Sequence, residues 1–171
     1  MFKYKNLSIS TIEEEDLSFL IELRSHYSVW SNLGNIKMLT YEGQKRWFQN
    51  ISTSNTQEYY ILHNENNKIG MIRTDQIDYI NRSIRVGGDI LPKFSGKGNG
   101  TIMMKLIKNY CFNYLNMNRL WLSVLETNER AIHVYKKVGF IEEGRQRDAI
   151  YRNNKYIDYI MMSLLRGDYN G

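Results

Sequence analysis

The stretch Pro92-Lys93-Phe94-Ser95-Gly96-Lys97-Gly98-Asn99-Gly100-Thr101 has the residue types and spacing to hold an anion. Glycines at alternate positions allow backbone dihedrals and close approach denied to other residues, so successive N–H groups can converge on one guest. A helical pattern begins at Asn99, which puts those donors at a helix N-terminus, where the macrodipole favours negative charge. A pyrophosphate suits such a cradle. A P-loop is excluded, because no Gly-Lys-Ser/Thr ending follows four residues after the first glycine, and the third glycine comes too early for a dinucleotide-binding Gly-x-Gly-x-x-Gly. For the glycines alone, a plain strand-to-helix turn is the alternative.

The elements that must position this loop follow from periodicity. Residues 83–91 read as an apolar strand leading into it, and residues 99–117 as a helix leading out, with Cys111 on the apolar face as core filler. Upstream, residues 7–11 suit a short strand, and Thr11-Ile12-Glu13-Glu14 reads as a capping box opening a first helix. Residues 25–39 are expected to be irregular, and a second helix capped by Thr40 presents Trp47, Phe48 and Ile51. Residues 59–63 and 69–74 form a hairpin across the polar turn 64–68. Downstream, residues 120–125 are a continuous apolar run typical of a strand buried on both faces. Asn128 then caps a helix that Gly139 closes, and residues 140–147 and 156–165 pair as a last hairpin turning near Asn153-Asn154.

The 171 residues suffice for one domain, 1–171, and 42% hydrophobic with 24% charged residues is the composition of a globular chain. A formal charge of +5 favours anionic ligands, yet Lys and Arg are scattered rather than striped, so nucleic acid is not expected as a partner. One cysteine excludes an internal disulfide and a cysteine-based zinc site, and no metal is expected. No apolar run approaches the ~18 residues of a membrane span and no signal-peptide core opens the chain, so a cytoplasmic location without membrane association is expected.

The order of strand, glycine loop, helix, buried strand, Asn-led helix ending in Tyr-x-Lys-x-Gly-Phe and closing hairpin resembles the GNAT superfamily of acetyl-CoA-dependent N-acetyltransferases. Lys93-Phe94-Ser95-Gly96-Lys97-Gly98 is similar to that family's Arg/Gln-x-x-Gly-x-Gly/Ala loop with a conservative change at its first position, and Asn128, Tyr135, Lys137, Gly139 and Phe140 match its second motif. The resemblance implies an α/β (α+β) fold: a mixed, mostly antiparallel sheet of about seven strands with a splayed notch, flanked by about four helices. It implies acetyl-CoA as cosubstrate, with pantetheine along the backbone of Ile90, Leu91 and Pro92. The pyrophosphate then rests on the N–H groups of Ser95, Gly96, Lys97, Gly98, Asn99, Gly100 and Thr101, with Asn128 on the pantetheine arm and Lys137 near the nucleotide phosphates. Tyr135 is implied as the proton donor to the departing thiolate, and a backbone N–H near Ile90 as the oxyanion partner. Where many relatives carry an acidic base this chain has Ser123, so Asp89 is the substitute and Glu126 a weaker one.

The acceptor is expected to be a small primary amine. Glu22-Leu23-Arg24-Ser25-His26, Gln44-Lys45-Arg46-Trp47-Phe48 and Tyr59-Tyr60-Ile61 are similar to the pseudaminic-acid-type nucleotide-sugar N-acetyltransferases. That points first to a nucleotide-linked amino-deoxy sugar, with Arg24, His26, Trp47 and Arg73 in its site. Arg46, Arg145 and Arg147 are further candidates for a diphosphate, and Tyr79 for stacking. Protein N-terminal or polyamine acetylation is the alternative, and a non-catalytic acyl-CoA-binding module the alternative of another class. A monomer or homodimer is expected.

Overall fold

Apolar runs that ignore strict alternation need cover on both faces of a sheet. The computed structural model, which describes residues 1–168, provides that cover. Eight strands run β1 (Phe2–Tyr4), β2 (Leu7–Thr11), β3 (Gln57–Asn64), β4 (Asn67–Asp78), β5 (Ser83–Ile90), β6 (Arg119–Leu125), β7 (Ile141–Arg152) and β8 (Lys155–Leu165). They lie in one sheet in the order β1-β2-β3-β4-β5-β6-β8-β7. Every neighbouring pair is antiparallel except β5 with β6. The helices are α1 (Leu17–Ser25), α2 (Tyr27–Trp30), α3 (Tyr41–Ser52), α4 (Asn99–Asn109) and α5 (Glu129–Val138).

Adjacent residues of one strand serve opposite cores. Leu62 and Ile72 join Ile84, Leu120 and the α4 residues Leu106 and Ile107, whereas Ile61 and Met71 join Leu20 and Leu23 of α1. Burying one such side chain contributes about 1.5–3 kcal/mol. A one-residue slip would exchange the two sets, so the cores fix the register. Asn153 and Asn154 both take positive φ, 53° and 59°, in the two-residue turn that the sequence anticipates for the last hairpin.

One departure from regular pairing matters most. β5 contacts β6 only through Ser83↔Arg119, Ile84↔Leu120 and Arg85↔Trp121. Beyond that, β5 continues to Ile90 on β4 and β6 continues to Leu125 on β8, so the two strands diverge and leave a notch.

The structure corrects several expectations. The sheet has eight strands rather than about seven, because the three-residue β1 pairs with β2 although Lys3 and Tyr4 hide its pattern. There are five α-helices rather than about four, since residues 27–30 of the supposedly irregular stretch form α2. Thr11 does not cap a helix: it ends β2 opposite Tyr60, and Asp16 Oδ2 instead accepts from the Glu13 N–H at 2.9 Å. The helix after the glycine loop is α-helical only to Asn109 and widens into a π-helix over Tyr110–Tyr114.

Cys111 lies fully buried in that π-helix, and burial pushes its thiol pKa up. A thiol reagent is expected to modify Cys111 roughly a hundredfold more slowly in native protein than in denaturant. Equal rates, followed by absorbance, would put the thiol at the surface.

Candidate active site

The notch opens into a cleft of about 660 Å³. Gly88, Asp89 and Ile90 of β5 form one wall, Asn128 and Tyr135 the other, and Val29 of α2 belongs to the rim. Ser95 and Gly100 border the loop end.

The loop has the geometry of an anion cradle. Pro92–Phe94 makes a 3-10 turn, and Gly96 and Gly98 take φ of 78° and 81°, which only glycine adopts without strain. The first backbone bond across the start of α4 runs from Ile102 N–H to Gly98 O, so the N–H groups of Asn99, Gly100 and Thr101 precede it and are free of intrahelical partners. The buried Asn99 side chain pins the loop by donating to Phe94 O at 3.0 Å. Gly100 differs from the expectation for it: it sits in the first helical turn, where an added Cβ would meet only Val134 at an ordinary 3.8 Å.

On the β5 edge the ladder sorts the donors. Leu91 N–H donates to Ile69 O at 2.8 Å, and its carbonyl accepts from Phe94 N–H. Pro92 has no N–H, and its carbonyl accepts from Ser95. Leu91 and Pro92 therefore do not offer the pantetheine edge expected of them. Because N–H and C=O of alternate strand residues point to the same side, Ile90 turns its own pair toward the notch.

Asn128 caps α5, its Oδ1 accepting from Ala131 N–H at 3.2 Å, while lining the cleft. Burial pushes the Tyr135 phenol up to about 12; the Asp89 carboxylate adds to the rise and Arg73 opposes it. At neutral pH the phenol keeps its proton and can donate it. Burial likewise raises the Asp89 carboxyl above the usual carboxylate range, while Arg73 and Arg24 pull it back.

Other expected residues lie elsewhere. Lys97 and Lys137 are exposed and off the cleft wall, Lys137 complementing the C-terminal dipole of α5. Glu126 is held by Asp158 N–H at 3.1 Å and by Arg145 at 3.0 Å, which makes it a clamp for the last hairpin and occupies Arg145. His26 is exposed and borders neither the cleft nor the second cavity described below. Trp47 packs edge-to-face with Tyr59 (4.9 Å, 81°) against the α1-side core and lines neither cavity. Tyr79 sits at the β4–β5 turn, at the far end of β5 from the cleft. Arg46 and Arg147 are exposed. Arg24, in contrast, borders a second cavity of about 340 Å³ with Trp30 and Lys37, and Tyr27 borders both cavities. Sequence reasoning missed α2 as a wall; its signal was only the Val29 and Trp30 pair in a polar stretch. Among the described residues no group of three or more His, Cys, Asp or Glu is placed to hold a metal, and no helix is long and apolar enough to cross a membrane.

Residues 6–141 match the family model of the acetyltransferase (GNAT) domain. The chain belongs to the GNAT acetyltransferase family. Over 164 residues it is 26% identical to the spermidine N(1)-acetyltransferase of Vibrio cholerae, covering 95% of each chain. The crystal structure of spermidine N-acetyltransferase from Vibrio cholerae with CoA and spermine superposes with a TM-score of 0.92 over 98% of this chain and 100% of that one, at 25% identity. The acetyltransferase PseH of Campylobacter jejuni is 24% identical over 88% of this chain and 92% of its own length. As a GNAT enzyme the chain is an acyltransferase with acetyl-CoA as donor, and the glycine cradle and open β5 edge fit that donor.

Gly98→Ala is expected to weaken CoA binding roughly tenfold, because a Cβ at positive φ costs about 1–2 kcal/mol. Titration calorimetry checks this, and unchanged affinity would remove the loop from the phosphate site.

Proposed function

We propose that the chain transfers acetyl from acetyl-CoA to the primary amine of a small acceptor by direct attack. The observation that carries this is the meeting of a half-buried carboxyl, Asp89, and a half-buried phenol, Tyr135, on the cleft wall beside the free backbone of Ile90. Asp89 takes a proton from the incoming ammonium, and the neutral nitrogen forms its bond to the thioester carbonyl. The Ile90 N–H faces the carbonyl oxygen as charge builds there, the C–S bond breaks with Tyr135 giving its proton to the departing sulfur, and the second proton shed by the nitrogen returns through solvent to the phenolate. The products are an amide and CoA thiol.

Likeness over the whole chain supports a polyamine acceptor ahead of the nucleotide-linked amino sugar that the sequence suggested, since both Vibrio cholerae comparisons concern spermidine enzymes. One observation favours an acceptor of opposite charge. Residues 23–41, which supply α2 and the second cavity, contain no Asp or Glu but include Arg24 and Lys37. The second cavity thus offers a polycation no acidic partner, whereas the cleft itself carries Asp89 and Glu129.

Tyr135→Phe is expected to lower kcat about a hundredfold with acetyl-CoA affinity intact, the range of a lost general acid. A base with a raised pKa ionises, and so works, only as pH climbs through that pKa; Asp89→Asn should remove this rising limb from the kcat/KM profile. CoA-thiol release with spermidine, a nucleotide-linked 4-amino-deoxy sugar and a peptide with a free N-terminus, run in parallel, tests the function. Turnover on none of them, with acetyl-CoA bound, would make the chain a binding module.

A further inference from the structure

The last hairpin reaches across the site with one side chain. Asn153 and Asn154 fix its turn at positive φ, and the residue just before them is Arg152, paired with Lys155. The β7–β8 ladder is regular there but bulges between Gln146 and Ile150, where Asp148 takes φ of 52° and its N–H donates to Asp158 Oδ1 at 3.0 Å. A bulge bends its strand and re-aims the side chains near it. Arg152 is half-buried, and its guanidinium donates to Ser31 O through Nη1 and to Leu33 O through Nη2, the latter at 2.6 Å.

Those carbonyls belong to the segment that follows α2, 121 and 119 residues away in sequence. Among the described residues no loop or cap N–H reaches either of them, so Arg152 supplies the donors that a helix end lacks. The segment is otherwise closed on itself: Trp30 Nε1 donates to Ile36 O at 3.0 Å and Asn32 Nδ2 to Ser28 O at 2.9 Å. A second contact ties it to the hairpin. A Cβ on Gly34 would run into the Tyr159 hydroxyl and lie 4.0 Å from Ile150 Cδ1, so the chain passes over β8 only because no side chain stands there.

What the hairpin holds is a wall of the cleft, to which Tyr27, Val29, Ser31 and Asn32 contribute. A Cβ on Gly88 would meet Met103 of α4 at 2.9 Å, whereas the next residue, Asp89, points to the opposite face, its pair Met71 lying in the α1-side core. Val29 belongs to that same core. Thus α2 stands on the side where Asp89 receives the amine, and the glycine cradle at the start of α4 lies on the other.

We propose that Arg152 is a positioning residue: it holds α2 against the acceptor side of the cleft and so sets acceptor affinity, without touching acceptor or donor. This rests on the transferase reading. The planar guanidinium grips two carbonyls at once from one rigid fork, which a lysine cannot copy. Its Nε is buried with no partner, so the side chain is kept out of water to make this grip.

Hydrogen exchange of the CoA-loaded protein, read by mass spectrometry, and steady-state kinetics with acetyl-CoA and spermidine are the test. In Arg152→Met, which keeps an apolar stem, amides of residues 27–34 should exchange at least roughly tenfold faster, as expected when a charged hydrogen bond is lost, while those of β4 and α4 stay as they are. The KM for spermidine should rise by a similar factor with kcat and the KM for acetyl-CoA unchanged. Gly34→Ala keeps Arg152 but pushes the segment off Tyr159, and should reproduce both effects; in Arg152→Ala, millimolar ethylguanidinium should reverse them, which a general loss of stability would not allow. The proposal is overturned if exchange over residues 27–34 is unchanged in both Arg152→Met and Gly34→Ala, or if exchange quickens and the KM for acetyl-CoA rises in place of that for spermidine. A wild type that turns over no spermidine would count against that acceptor, and the exchange measurement would still decide whether Arg152 holds α2.

Discussion

Everything at this site depends on two parallel strands parting after three residue pairs. Had β5 and β6 stayed in register to their ends, the Ile90 backbone would be consumed by the ladder and the cleft would not exist. The parting is possible because each strand keeps a full antiparallel partner on its other side, β4 for β5 and β8 for β6. The opening therefore removes no hydrogen bonds from the outer ladders. It also lets α5 enter from one face and α2 from the other, so that groups 46 residues apart in sequence, Asp89 and Tyr135, share one pocket.

The second determinant is charge in a place normally reserved for apolar side chains. Asp75 holds Arg85 tightly and Arg73 loosely, and such a group is costly to bury unless each member finds partners. The sheet accepts that cost on the face toward α1 and avoids it on the face toward α4, where Leu62, Ile72 and Leu106 pack without a charge among them.

Much of this was legible in sequence where the chemistry is local. The Asn128 cap, the Gly139 stop and the Asn153-Asn154 turn each depend on a few neighbouring residues, and the structure has them as read; of the loop glycines, Gly96 and Gly98 take the positive φ. What escaped depends on register between distant strands. No local signal says that Leu91 N–H is claimed by Ile69, or that Tyr59, Arg73 and Gly87 stand in one row; that follows only once β3, β4 and β5 are aligned. Likewise Glu126 and Arg145 look like free charges in sequence and are partners only because β6 and the last hairpin meet.

The inward-facing edge at Ile90 has a consequence for the life of the protein. In the proposed mode the strand edge that the chain does not complete is left for the donor, and a ligand that binds only the folded form stabilises it by an amount that grows with its concentration, about 2.7 kcal/mol at a hundred times the dissociation constant. For a domain of this size that is a large part of the margin against unfolding. The folded population, and with it exposure to proteases, is thus tied to the supply of the acyl carrier: the enzyme persists best where its donor is plentiful.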